Sequence, residues 1–251
     1  MIQKQCKVIS NKLIAKDYYE LVFNWESSFN PKPGQFLTLR PQGLPLLRRP
    51  FAFSSFKDNR AAIIYKTVGK ATKGFSSLTE KDSISILGPL GSGFDLPKKR
   101  PVLIAGGIGL GPMLFTAIDF AERGLSPILV IGARDKSFIP KLELGKGVEV
   151  VIATDDGSLG FKGNVTQCLK TEYNNILNNC EILCCGPHIM LKACHELALE
   201  YDIECQVSME EMMACAVGAC YGCVVETTHQ EKYKRVCKDG PVFNSREIVW
   251  I

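Results

Sequence analysis

Short apolar runs, rich in β-branched and aromatic residues, dominate the first part of the chain. They read CKVISNKLI, YYELVFNW, QFLTLRP, PFAFSSF, AAIIYKTV and SISILG, and turn formers such as NPKPGQ and KDNR separate them. Strands of this length at this spacing predict an antiparallel β barrel or sandwich over residues 1–97. The stretch GPLGSGFDLPKKRP, 88–101, is dense in Gly and Pro and marks the end of that domain.

The rhythm then changes. PVLIAGG, SPILVIGAR, VEVVIATDDG and EILCCGP read as strands; PMLFTAIDFAERG, NVTQCLKTEY and HIMLKACHELALEYD read as helices. Strands alternating with helices predict an α/β domain with a parallel sheet over 98–205. A small third unit, 206–251, holds four cysteines. The fold class expected is thus α/β plus β with a small C-terminal cysteine domain.

Composition narrows the function. The chain has 251 residues, 46% hydrophobic and 22% charged, enough for more than one core. A net charge of +4 is too small and too dispersed for a nucleic-acid binder, and Lys98, Lys99 and Arg100 suit a solvated turn. The longest uncharged run, PVLIAGGIGLGPMLFTAI, is broken by glycines and two prolines, which argues against a membrane span. Charges interrupt the N-terminus too often for a signal peptide. A cytoplasmic chain is expected, whose eleven cysteines stay thiols or bind metal.

Four of those cysteines are grouped. Cys215, Cys220 and Cys223 follow a C-x4-C-x2-C pattern, and Cys237 comes thirteen residues later. This is the plant-type spacing of a [2Fe–2S] cluster, with zinc and plain structural thiols as rivals. Ala214, Ala216, Gly218, Ala219 and Gly222 let the backbone approach an inorganic core, so that its N–H groups point at sulfur. Tyr233, Lys234 and Arg235 predict a β-hairpin ahead of the last ligand. Cys6, Cys168, Cys180, Cys184, Cys194 and Cys205 read as small apolar residues. Met209, Met212 and Met213, beside the cysteine loop, suit either core or a soft contact surface for a partner.

Two turns in the α/β part point to a nucleotide. AGGIGLGPM, 105–113, follows a strand and opens a helix; Gly107 and Gly109 would free the backbone for a phosphate, and Pro112 suits the first helical turn. A tight turn without a ligand explains the same residues. Asp135 falls near where an acid would hold a ribose hydroxyl, and Arg134 suits a phosphate, so both NAD and NADP fit. Cys185, Gly186 and Pro187 close a strand at the carboxyl edge of the sheet, where ligands bind. His188, His195 and His229 read as surface residues, and no arrangement for nucleophilic catalysis stands out.

In the β part, Arg49 of LLRRPFAFSS could clamp a diphosphate, and VGKATKGFSS, 68–77, reads as a second small-residue turn with Thr72. Each stretch alone is explained as well by a core strand and a turn. Together, the R-P-aromatic-small strand, the G-x-small-Thr turn, the G-G-x-G-x-x-P turn and the C-G-P strand end resemble the ferredoxin–NADP reductase superfamily. The resemblance implies FAD held near Arg49, Pro50, Phe51, Ala52, Lys66, Thr67, Val68, Ala71 and Thr72. It implies NAD at Gly107, Gly109, Pro112, Cys185, Gly186 and Pro187. Ala52 stands where Ser or Thr is usual and Ala71 where Gly is common.

Three further segments, TDDGSLGFKGNVT, ECQVSMEEMMACAVGACYGC and KDGPVF, make the whole chain similar to the electron-transfer subunit of NAD-dependent (class 1B) bacterial dihydroorotate dehydrogenase. That resemblance implies an FMN-containing catalytic subunit as partner, in a two-plus-two heterotetramer. Electrons from dihydroorotate would pass through the [2Fe–2S] cluster and FAD to NAD+, in de novo pyrimidine (UMP) synthesis, with no acid–base residue needed here. A reductase subunit of a related ferredoxin- or sulfide-linked oxidoreductase, and a zinc-stabilised nucleotide-binding module, are the alternatives.

Overall fold

A computed structural model describes residues 1–40, 47–142 and 144–250. Six strands come first: β1 (Ile2–Ala15), β2 (Tyr18–Asn24), β3 (Phe36–Arg40), β4 (Arg49–Lys57), β5 (Arg60–Lys66) and β6 (Ser83–Leu90). They close into an antiparallel barrel in the order β1-β2-β5-β4-β3-β6. The KDNR segment makes the tight β4–β5 hairpin, with Asp58 and Asn59 at φ 49° and 56°, as a two-residue loop requires. Along β6 buried and half-buried residues alternate, the period-two signature of a strand with one face on a core. Trp25 and Phe53 meet edge-to-face at 5.4 Å in the barrel interior.

The expected turn at 68–77 is instead a helix, α1 (Lys70–Ser76). Gly69 has no side chain with which to cap it. Thr72, one turn in, takes over: its hydroxyl accepts the N–H groups of Val68 and Gly69 at 2.8 and 3.1 Å.

The second half forms one seven-stranded sheet, together with helices. Its elements are β7 (Arg100–Gly106), α2 (Leu110–Glu122), β8 (Ile128–Ala133), β9 (Glu149–Thr154), β10 (Phe161–Lys162), α3 (Val165–Glu172), α4 (Asn174–Leu177), β11 (Cys180–Cys185), α5 (His188–Glu200) and β12 (Cys205–Ser208). The strand order is β10-β9-β8-β7-β11-β12-β15, where β15 (Val242–Asn244) is the one antiparallel strand. From β7 the chain builds outward one way through β8 and β9, then returns to build the other way through β11 and β12. The order therefore reverses between β7 and β11, and the carboxyl ends of these two strands flank a crevice.

The remaining chain forms a hairpin of β13 (Val224–Glu226) and β14 (Tyr233–Arg235), with Val224 opposite Arg235. The sheet takes strands from both sides of position 206, and one hydrophobic cluster runs from Val102 and Ile182 through Val207 and Met209 to Cys223 and Cys237. Cys6, Cys168, Cys180, Cys184, Cys194 and Cys205 are buried. His195 is not a free surface residue: its ring stacks on Trp250 at 5.4 Å and its Nδ1 lies 3.1 Å from the Ser245 hydroxyl, because the chain end folds back over α5. Among the described residues no helix is long and apolar enough to cross a membrane.

Candidate functional site

A cavity of about 660 Å³ opens between the barrel and the carboxyl ends of the sheet strands. That is the size of a small-molecule or cofactor site. The barrel contributes Pro50, Phe51 and Ala52 from β4, then Lys66, Val68 and Thr72. The sheet contributes Gly107, Gly109 and Pro112 after β7, and Cys185, Gly186 and Pro187 at the end of β11. The two groups named separately from sequence thus face one space.

Three expected contacts lie off this wall. Arg49 turns its fork back onto the Leu47 carbonyl at 2.8 Å. Thr67 spends its N–H and hydroxyl on the Asp17 carbonyl, at 3.0 and 3.4 Å. Ala71 is buried with the barrel core. Asp135 is also absent from the wall: its carboxylate accepts the Ser137 N–H at 2.8 Å, and hydrogen bonds from Ser137 hold it below the usual carboxylate range. Arg134 and Asp155 line the cavity instead.

The two glycines of the first turn do different things. Gly107 has φ +56°, and a Cβ there would meet only the Tyr18 hydroxyl, at 3.6 Å. It leaves open space before the turn, as a ligand-facing glycine should. Gly109 also lines the cavity, but its Cα side is packed on protein: a Cβ there would lie 2.0 Å from the Cys185 carbonyl oxygen. Its missing side chain allows close packing of the β7 and β11 turns, whereas Gly107 leaves open space in front of its turn.

Sequence reasoning missed several lining residues. Tyr18 stands in no motif, and Glu210 and Glu211 carry no site role within the ECQVSMEEMMACAVGACYGC segment; all three line the cavity where β2 and the chain after β12 meet it. Lys66 lies 5.8 Å from the Tyr18 ring centre and 5.3 Å from that of Phe138, an aromatic and cationic corner at the wall. Cys185 stays a neutral thiol: burial pushes it up to about 12, opposed by a hydrogen bond with Ser208.

The cysteine loop is built from backbone donors. Gly218 N–H donates to Cys237 Sγ at 3.1 Å, and Ala219 and Cys220 N–H donate to Cys215 Sγ at 3.3 and 3.4 Å. Gly222 N–H reaches Cys220 Sγ and Cys237 N–H reaches Cys223 Sγ, both at 3.4 Å. The loop curls enough for this because Ala216, Gly218 and Tyr221 take φ values of 59°, 81° and 56°. Burial raises the Cys215 pKa, but the N–H groups of Val217, Cys220 and Ala219 outweigh it and hold the thiol at about 6. Cys237 sits deeper, and burial next to Cys223 pushes it up to about 12.

Cys215 interacts with Cys220, and Cys237 with Cys223. Among the described residues no three His, Cys, Asp or Glu side chains converge as ligands of a single ion. N–H groups are aimed at all four sulfurs, the arrangement that stabilises a charged iron–sulfur core.

The family model for the iron–sulfur cluster binding domain of dihydroorotate dehydrogenase B matches residues 210–249. The dihydroorotate dehydrogenase B (NAD(+)) electron transfer subunit of Caldanaerobacter subterraneus subsp. tengcongensis is 38% identical over 250 residues, covering 98% of each chain. That of Listeria welshimeri is 39% identical over 260 residues, covering 99% of each. The solved structure of an NADH-dependent reduced ferredoxin–NADP oxidoreductase superposes with a TM-score of 0.86 at 27% identity, covering 98% of this chain and 90% of the other. With a shared fold, a matched cysteine domain and near-complete coverage by these relatives, the chain belongs to the family of dihydroorotate dehydrogenase B (NAD(+)) electron transfer subunits.

Proposed function

We propose that this chain carries electrons from a catalytic partner subunit to NAD+, with FAD in the interdomain cavity and a [2Fe–2S] cluster on Cys215, Cys220, Cys223 and Cys237. The partner is the FMN-containing dihydroorotate dehydrogenase subunit, in a two-plus-two assembly, in the cytoplasm. The observation that carries the reading is one short segment. Ser208, Met209, Glu210, Glu211 and Met213 line the cavity, and Cys215 follows at once. The cavity wall and the first cluster ligand are thus on one continuous piece of chain.

Bound there, the cluster supplies one-electron and the flavin two-electron chemistry, which joins a one-electron donor to a hydride acceptor. The chain's own residues position and enclose. Pro50, Phe51 and Ala52 offer an apolar β4 wall for a planar ring, with Phe51 braced edge-on by Tyr65 and Phe75 at 6.0 and 5.6 Å. Lys66, Val68 and Thr72 form the barrel side of the phosphate region. Gly107 leaves room at the positive end of α2, where a pyrophosphate is favoured. Cys185, Gly186 and Pro187 line the sheet side of the same cavity and would receive the nicotinamide. Cys220 and Met212 are exposed beside the cysteine loop and suit the docking side for the partner.

Cys220→Ser tests the arrangement. The variant should lose the cluster's visible absorbance and iron while keeping most of its FAD; equal loss of both would contradict separate sites. Co-purification identifies the partner. Recovery of a ferredoxin-linked subunit instead would favour the alternative suggested by the likeness to the ferredoxin–NADP oxidoreductase.

A further inference from the structure

One peptide unit of the cysteine loop is held at both ends. The Gly218 carbonyl accepts Arg235 Nη1 at 3.1 Å. The N–H of the same unit, on Ala219, donates to Cys215 Sγ at 3.3 Å. Arg235 itself is fixed on its other side: Nε and Nη2 donate to the two Asp239 carboxylate oxygens at 2.9 and 3.1 Å. Nη1 also reaches the Tyr221 hydroxyl at 3.3 Å, and the guanidinium carbon lies 4.8 Å from the centre of that ring. The guanidinium is therefore a rigid, charged part of the loop, with its side chain only 19% exposed.

Hydrogen bonds in series polarise one another. A cation on a carbonyl oxygen makes the N–H at the far end of that amide a stronger donor. A stronger donor to a ligand sulfur favours the more negative, reduced form of a cluster, because hydrogen bonds to sulfur help set its potential. Lys and Gln lack the planar fork that binds Asp239 and Gly218 together.

We propose that Arg235, oriented by Asp239, is a positioning residue that raises the reduction potential of the cluster through the Gly218–Ala219 peptide. This rests on the reading of the four cysteines as cluster ligands. It gives Arg235 a role distinct from general positive charge, for which exposed Lys238, whose stem covers Gly218, is the control.

The test is an EPR-monitored redox titration of the cluster- and FAD-loaded chain and its variants. Arg235→Gln should shift the reduced-to-oxidised ratio at a fixed poise about tenfold towards oxidised, a fall of about 59 mV for one electron. Arg235→Lys should keep most of that fall, Asp239→Asn should show part of it, and Lys238→Gln should show little. Pulsed EPR of Arg235→Lys should also show a weakened exchangeable-proton coupling to the reduced cluster. A wild-type potential in Arg235→Lys, or an equal fall in Lys238→Gln, would reduce the effect to net charge and overturn the proposal. If Arg235→Gln assembles no cluster, the Arg235→Lys and Asp239→Asn arms decide alone. A wild-type chain that takes up no cluster would instead sink the ligand reading on which the proposal stands.

Discussion

Gly109 packs its Cα face against the carbonyl of Cys185, and a Cβ at that position would stand 2.0 Å from the oxygen. The obstacle is backbone, which cannot swing aside as a side chain can. The two turns concerned carry the sheet side of the cavity, so they must move together. Gly109→Ala should therefore destabilise the fold by about 3 kcal/mol, the upper end of overpacking penalties. It should also weaken NAD+ binding. Gly107→Ala meets no such obstacle but must hold φ +56°, at about 1–2 kcal/mol. Thermal unfolding of the two variants should rank Gly109→Ala as the worse; the reverse order would reassign the roles of the two glycines.

Gly218 and Ala216 make a second contrast, inside the cysteine loop. Both have positive φ, at 81° and 59°. Gly218→Ala would add left-handed strain of about 1–2 kcal/mol. Its Cβ would also meet the Lys238 stem, with Cδ at 2.6 Å and Cβ at 2.9 Å. Because Gly218 N–H donates to Cys237 Sγ, any shift loosens that sulfur, the proposed fourth ligand. Iron content after anaerobic reconstitution should drop in Gly218→Ala, whereas Ala216→Gly, which relieves strain, should load as well as the parent.

These contrasts show which parts of the site could be read from the chain. The barrel, the parallel sheet and the four-cysteine loop were legible because each rests on local periodicity or spacing. KDNR marked a hairpin and C-x4-C-x2-C a cluster loop without any tertiary information. Helix α1 was not legible: seven residues are too few to show a period, and Gly69 hides the cap that Thr72 supplies from inside the helix. Arg49 and Asp135 stand out by charge, yet Arg49 Nη1 and the Asp135 carboxylate each bond a local backbone group off the cavity wall. Tyr18 could not be found because only the convergence of distant strands brings it to that wall, whereas Glu210 and Glu211 lie in a quoted segment that gives them no role of their own. Gly107 and Gly109 look alike in sequence, although a Cβ would meet open space at the first and backbone at the second.

Cys185 should be slow to alkylate despite facing the cavity. Burial pushes its thiol up to about 12, from an ordinary value of 9.0. At pH 8 the reactive thiolate is then about a thousandfold rarer than for an ordinary cysteine. Its iodoacetamide rate, followed by peptide mass spectrometry, should rise about tenfold per pH unit up to the highest pH the fold survives. The same shift bears on stability: neutral Cys185 favours the fold below pH 9, and that contribution fades between 9 and 12 as the unfolded thiol ionises first. Half-maximal alkylation near pH 8 would show that the sulfur is not enclosed.

His195 gives the opposite pH dependence, on the acid side. Burial, then the nearby Arg246 charge, lowers its pKa below the ordinary 6.5. The unfolded chain therefore protonates first as the pH falls, and stability must decline from about pH 6.5 downward through the folded pKa. The structural consequence is local: the neutral ring stacks on Trp250, whose indole N–H donates to the Ser245 carbonyl at 2.9 Å. Ser245 in turn follows β15, the strand that ties the cysteine unit to the sheet. Acidification should thus loosen the C-terminal segment before the barrel, seen as earlier amide exchange at 242–250. Replacing His195 by Gln, which cannot titrate, should flatten the fall in melting temperature between pH 7 and 5; an unchanged slope would assign that fall to other groups.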